Sequence, residues 1–227
     1  RAVRKDEDGR LWVGTTRYGI LILDKNFKTI AQISDSVNGK SSGLPLSSIN
    51  AFCSDDKGNT WIATFRGICF INNKTFSVTS LKGHPILDKL SSIPCEIIWK
   101  DDSGKLWFGT TRGVWCYDEQ NNVLIDYSTK YGLPNELIYD INQDKLGNIY
   151  IASVSGLSIL QPDGKTMNYN RGNGLRNDRC EGILRDNEGY MWIGNLNCII
   201  RYDPVNKQFA VFEEGLGFSH AGFRMRY

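Results

Sequence analysis

One short pattern occurs five times in this 227-residue chain and governs what the chain can fold into. It reads Asp8-Gly9-Arg10-Leu11-Trp12-Val13-Gly14, then Lys57-Gly58-Asn59-Thr60-Trp61-Ile62-Ala63, then Ser103-Gly104-Lys105-Leu106-Trp107-Phe108-Gly109. The fourth copy is Leu146-Gly147-Asn148-Ile149-Tyr150-Ile151-Ala152 and the fifth Glu188-Gly189-Tyr190-Met191-Trp192-Ile193-Gly194. The aromatic anchors fall at 12, 61, 107, 150 and 192, spacings of 49, 46, 43 and 42. A period of roughly 40 to 50 residues is that of a propeller, in which each repeat buries its face on the next.

Each copy reads as four short strands. An alternating run such as Ile49 to Ser54 or Glu136 to Gln143 precedes an acidic turn whose glycine supplies the positive φ of a tight hairpin. The second strand carries the Trp or Tyr. A polar loop leads to a third strand (Gly19 to Leu23, Gly113 to Tyr117), and a turn at Asp24, Asn72, Asp118 or Asp203 leads to a fourth (Phe76 to Leu81, Phe209 to Phe212). Gly-Leu connections at 43–44, 132–133, 174–175 and 215–216 close the units. β-branched and aromatic residues dominate, and no amphipathic helix of useful length is visible. The expectation is an all-β chain: about five four-stranded antiparallel blades, part of a larger β-propeller. The blades span roughly 1–44, 45–92, 93–133, 134–175 and 176–216. Residues 217–227, with Arg224 in the register of Val3, would begin a further blade, so the two ends overlap and more blades are expected in a longer parent. Trp12, Trp61, Trp107 and Trp192 should pack between blades, since a large ring on one sheet face must be buried by the next.

Composition narrows the function classes. With 27 basic against 25 acidic residues there is no whole-surface field for nucleic acid. No run approaches the roughly 18 to 20 apolar residues that span a bilayer, so no membrane contact is expected within the segment. The six cysteines (Cys53, Cys69, Cys95, Cys116, Cys180, Cys198) show no metal-binding spacing and read as small buried hydrophobes, with an inter-strand disulfide as the alternative. His84 and His220 stand without a carboxylate or cysteine at motif spacing and read as non-catalytic. The acidic runs Asp6-Glu7-Asp8 and Asp101-Asp102 suggest calcium, but they fall where turn chemistry already accounts for them.

The stretches Gly9 to Gly19 and Gly104 to Gly113, with Leu-Trp-[Val/Phe]-Gly-Thr-Thr-Arg inside them, and Gly-Leu-Pro-Asn at 132–135 resemble the two-component regulator propeller repeat. The fourth and fifth copies depart most, and Cys198 stands where the others carry Gly, which predicts a differently shaped loop. The resemblance implies the periplasmic sensor region of a hybrid two-component protein of Bacteroidetes. There, two seven-bladed rings precede a β-sandwich, a membrane span, and kinase, receiver and DNA-binding parts. It further implies a glycan fragment as input, polysaccharide-use genes as output, and a parent that is a sensor histidine kinase, pairing as a homodimer.

Five residues after each anchor stand Arg17, Arg66, Arg112, Ser155 and Asn197. Guanidinium forks suit bidentate capture of carboxylate or sulfate, and Tyr18 and Phe65 beside them suit stacking on a sugar face. Asn135 and Asn177 join them as ligand-binding candidates; Glu136, Asp178 and Arg179 are weaker ones. The other reading makes the arginines solvated loop residues or subunit contacts. The expected function is therefore non-catalytic sensing of an oligosaccharide, without cofactor or metal. The alternative is an interaction or dimerisation scaffold with no small ligand. An enzyme is the third class, because streptogramin-inactivating lyases run eliminations on a propeller with a histidine and a metal. Two scattered histidines and no acid–base constellation speak against it.

Overall fold

The structure, a computed structural model, describes residues 2–37, 40–134 and 136–213. The calls on Asn135, Gly215-Leu216, His220 and residues 217–227 lie outside them. Among the described residues are five four-stranded antiparallel sheets, each in simple chain order. Blade 1 comprises Ala2–Lys5, Leu11–Gly14, Ile20–Leu23 and Thr29–Ile33; blade 2, Ile49–Ser54, Asn59–Thr64, Gly67–Asn72 and Val78–Ser80. Blade 3 comprises Cys95–Lys100, Leu106–Thr110, Gly113–Asp118 and Val123–Asp126; blade 4, Ile138–Gln143, Ile149–Ser153, Gly156–Leu160 and Thr166–Tyr169. Blade 5 comprises Cys180–Arg185, Met191–Asn195, Cys198–Asp203 and Gln208–Glu213. The chain divides into two compact units: blades 1 and 2 with most of blade 3, and blades 4 and 5 with Arg112–Cys116 and the segment after Leu124.

One interaction recurs in every blade. The aspartate that opens the first hairpin accepts a hydrogen bond from the anchor six residues on: Trp12 Nε1 to Asp6 (2.8 Å), Trp61 to Asp55 (3.0 Å), Trp107 to Asp101 (2.8 Å) and Trp192 to Asp186 (2.7 Å). In blade 4 the Tyr150 hydroxyl reaches Asp144 at 2.9 Å, so the donor survives the change of ring. The same carboxylates gather turn N–H groups. Asp55 Oδ1 accepts from the amides of Lys57 and Asn59, and Asp144 Oδ1 from those of Leu146 and Asn148. Burial pushes the Asp6 carboxyl up, but the donors from Trp12 and Arg10 outweigh it and hold it below the usual carboxylate range. The acidic runs thus serve the hairpins and the anchors.

Within the first unit, Trp12 is fully buried, edge-on to Phe52 and Phe76 of blade 2 and packed with Ile20, Ile22, Leu44 and Ile49. Trp61 meets Phe108 and Tyr117 of blade 3 in tilted ring contacts. In the second unit Tyr150 packs on Tyr202 of blade 5, within a core that includes Leu157, Ile183 and Ile200. Trp192 departs from expectation. It is half-buried, stacked on Phe212 and beneath Arg201 of its own sheet, because among the described residues no following sheet covers it. The Gly-Leu connections make sense at their leucines, since Leu44, Leu133 and Leu175 are buried plugs. Between blades 2 and 3, where the pair is missing, a short 3₁₀ turn Asp88–Ser91 buries Leu90. Two further pieces were not anticipated: a hairpin pairing Ser36–Val37 with Lys40–Ser41, and a one-turn helix Tyr127–Tyr131 capped by Asp126 and ended by Gly132 in the left-handed region.

All six cysteines are free and buried. Burial pushes the thiols of Cys53 and Cys180 up to about 11 and about 12, which keeps them protonated and inert. His84 takes a turn role, its Nδ1 accepting from the amides of Ile86 and Leu87.

In the second unit the first strands of blades 4 and 5 are joined through one buried carboxyl. Asp140 accepts from the Ile183 amide at 2.7 Å, while Asn142 Nδ2 donates to the Ile183 carbonyl at 3.1 Å. Burial raises the Asp140 pKa to about 7 against these two backbone amides, Ile183 and Ile141, which pull it down.

Two predictions follow from these contacts. Tyr150→Phe removes one buried hydroxyl and little volume, and should cost about 1–2 kcal/mol, read as a fall in Tm of about 2–8 °C. For Asp140, the unfolded carboxyl loses its proton near 3.8 and the folded one near 7. The contribution of this group is therefore complete below pH about 4 and lost as pH rises towards 7, by at most about 4 kcal/mol. Urea denaturation across pH 4 to 8 should show that downward slope in the wild type and its loss in Asp140→Asn.

Candidate functional site

In each sheet the start of the first strand pairs with the end of the second, as Ile49 pairs with Thr64 and Ile138 with Ser153. The loop between strands two and three and the connection arriving from the previous blade therefore share one end of the blade. The Asp-anchor hairpins occupy the opposite end. The predicted site residues among the described ones, Arg17, Tyr18, Phe65, Arg66, Arg112 and Asn177, fall on the first of these ends.

The loops are held by hydroxyls at the ends of the second strands. Thr15 Oγ1 donates to the Gly19 carbonyl and accepts from the Tyr18 amide; Thr64 Oγ1 donates to the Gly67 carbonyl and accepts from the Arg66 amide. Ser153 repeats the arrangement with Gly156 and Ser155. Glycine is required at the turn back: a Cβ on Gly67, at φ +121°, would lie 2.0 Å from the Ser91 carbonyl oxygen. In blade 5 Cys198 takes the glycine's place, the left-handed conformation moves to Asn197 (φ 69°), and Cys198 Sγ lies 3.5 Å from Asn195 Oδ1. The altered loop expected there is present.

With the backbone so fixed, side chains between the hydroxyl and the glycine project outward. Arg17, Tyr18, Phe65 and Arg66 of the first unit are all exposed, Tyr18 at 68%. Neither the Arg17 nor the Arg66 guanidinium has a hydrogen-bond or ion-pair partner among the described residues. Arg112 is exposed in the equivalent loop of blade 3, within the second unit. Asn177 plays a structural part. Its amide donates to Asn195 Oδ1 at 2.9 Å, its carbonyl accepts from Asn195 Nδ2, and its own side chain accepts from the Arg179 amide.

Residues that sequence reasoning missed enter through β-bulges. The first strands of blades 2 to 5 each carry an extra residue near their start: Asn50, Glu96, Tyr139 and Glu181. A bulge re-aims its side chain and often lies beside functional sites. In the second unit Arg179 pairs with Glu181 at 2.7 Å and lies over the Tyr139 ring, 5.0 Å from its centroid. The signal in the sequence was a polar or aromatic residue second in each first strand, too weak to separate from ordinary alternation. Among the described residues no group of three or more His, Cys, Asp or Glu side chains is placed to hold a metal.

Comparison with known proteins gives the fold first. Over 97% of its length the chain matches 29% of the extracellular domain of a protein described as a hybrid two component system from B. thetaiotaomicron, with TM-score 0.80 and 24% identity. A one component system's extracellular domain from the same organism matches with TM-score 0.69 and 15% identity, over 99% of this chain and 35% of that one. Virginiamycin B lyase from Staphylococcus aureus matches with TM-score 0.68 and 14% identity, over 97% of this chain and 71% of that one. These likenesses establish the β-propeller fold. No curated protein matches the sequence. The family model of the two component regulator propeller matches residues 1–17 and 43–66, which hold the first two strands of blades 1 and 2. Among the described residues no helix is long and apolar enough to cross a membrane.

Since the Arg17 and Arg66 guanidinium groups bond to nothing among the described residues, Arg17→Ala and Arg66→Ala should each leave the unfolding free energy within about 0.5 kcal/mol of wild type by urea denaturation.

Proposed function

We propose that this chain is a non-catalytic, ligand-sensing part of the periplasmic region of a hybrid two-component regulator. Its parent would be a sensor histidine kinase acting as a homodimer, and the ligand an acidic oligosaccharide whose arrival is signalled to polysaccharide-utilisation genes. The observation that carries the reading is the match of residues 1–17 and 43–66 to the two component regulator propeller family, because each matched stretch ends on an exposed, unpartnered arginine, Arg17 and Arg66. A guanidinium fork without a protein partner is ready for bidentate capture of a carboxylate or sulfate. Tyr18 and Phe65 add aromatic faces beside both, and Arg112, which already has a partner in the protein, is a further candidate in the equivalent loop of blade 3. Signalling requires that the ligand bind one receptor arrangement more tightly than the other, since equal affinity shifts nothing.

A thermal-shift screen of the intact protein against acidic and neutral oligosaccharides tests this, because a ligand bound only by the native state raises Tm. At 100 times Kd the stabilisation is about 2.7 kcal/mol. An acidic sugar should give a rise that Arg17→Ala, Arg66→Ala or Arg112→Ala removes. No rise with any glycan, together with concentration-dependent self-association, would replace sensing with a dimerisation scaffold.

A further inference from the structure

The second unit holds a cavity of about 340 Å³ beside blade 4, whose lining includes Pro134, Glu136, Ser153, Ser155, Ser158 and Asn168. Its size is that of a small-ligand pocket, which runs from about 300 to 1,000 Å³, and its lower end suits a single sugar ring. Glu136 is the one charged side chain lining it.

The bonding of Glu136 is lopsided. Its Oε1 accepts from the Ser155 amide at 3.1 Å and from Ser155 Oγ, and it lies 2.9 Å from Ser153 Oγ, sharing that hydroxyl's one proton with the Gly156 carbonyl. Its Oε2 accepts no hydrogen bond from the described residues, and no cationic side chain among them pairs with the carboxylate. The Ser155 amide and hydroxyl, with the shared Ser153 hydroxyl beside them, therefore clamp one oxygen, which stops the side chain from swinging away, while the other keeps its lone pairs for an outside donor. Charge-assisted bonds of an ammonium to a carboxylate are about twice as strong as neutral ones. The rest of the lining is neutral and polar. Ser158 is almost fully buried and donates to Asn168 Oδ1 at 2.7 Å, which turns the Asn168 Nδ2 donors and the serine lone pairs towards further partners such as ring hydroxyls. Leu157 adds apolar surface.

We propose that this cavity is a binding subsite for an amine-bearing sugar residue, its protonated amine on Glu136 Oε2 and its hydroxyls on Ser158 and Asn168. The charge preference is opposite to that of the arginine loops, and the subsite stands whether or not those loops bind an acidic glycan.

The test follows the Ser155 amide by NMR in the intact protein during titration with D-glucosamine, D-glucose and N-acetyl-D-glucosamine. Glucosamine should shift that amide saturably and bind about ten-fold more tightly than either neutral sugar, the ratio expected from one charge-assisted bond. Glu136→Gln keeps the volume and should erase the preference without lowering Tm. Ser155→Ala, which removes one clamp, should weaken glucosamine binding several-fold. Equal affinity for all three sugars, no saturable shift of Ser155, or glucosamine binding unchanged in Glu136→Gln would each overturn the proposal. The wild-type comparison decides it even if the glutamine variant does not fold.

Discussion

Everything regular in this chain depends on a hydrogen bond between an aspartate and the aromatic side chain six residues later. An indole N–H or phenol O–H carried into a core must keep a partner there. The partner is a carboxylate whose other bonds hold the hairpin connecting the first two strands. One side chain thus closes the turn, fixes the register of both strands, and lets a large ring enter the contact with the next blade. In blade 4 burial and the Asp144 carboxylate together keep the Tyr150 phenol protonated, so the substituted anchor remains a donor. The same economy leaves the acidic turns with little to offer a cation, because the carboxylate oxygens are already engaged by the turn and the anchor.

A consequence is a division of labour between the two ends of each blade. The Asp-anchor end is constrained in every copy, by positive-φ glycines at Gly9, Gly58, Gly104, Gly147 and Gly189 and by the carboxylate network. The opposite end is constrained only in its backbone. There a hydroxyl bonds to the loop in blades 1, 2 and 4, and a glycine or Asn197 takes the left-handed conformation. The residues between are free to differ, and they do: Arg17, Arg66, Arg112, Ser155, Asn197. The bulges at Asn50, Glu96, Tyr139 and Glu181 add a second variable position to that end. Recognition belongs where variation is structurally cheap.

The period, the four-strand unit and the turn glycines were legible in the sequence because each depends on local chemistry that repeats. Strand limits such as Ile49–Ser54 follow from alternation and came out intact. The aspartates were read as turn residues only, since nothing in a sequence announces that a side chain six positions on will reach back to them. Trp192 was expected to be buried like its counterparts, but burial is a property of the neighbouring sheet and not of the repeat that carries the ring. Asp140 looked like one polar residue in an alternating strand; its partner Ile183 lies 43 positions away, beyond any local pattern. At the candidate site, exposure of Arg17 and Arg66 followed from their place in the loop, whereas the service of Asn177 to Asn195 required the three-dimensional pairing.

The repeat also sets how ligand chemistry can be distributed. Because each blade is stabilised by its own Asp-anchor bond, a substitution on the variable end alters one loop without unsettling the next. A carboxylate is then tolerated at Glu136, in the connection leading into blade 4 and clamped by that blade's serines, while guanidinium groups occupy the loops between strands two and three of blades 1 and 2. A chain of this kind can present groups of opposite charge on one architecture. What makes such groups informative to a receptor is the energy difference between its conformations that each ligand contacts unequally. Rigid loops favour that outcome: a side chain already fixed by backbone bonds loses little freedom on binding, so more of the contact energy remains to separate the two states.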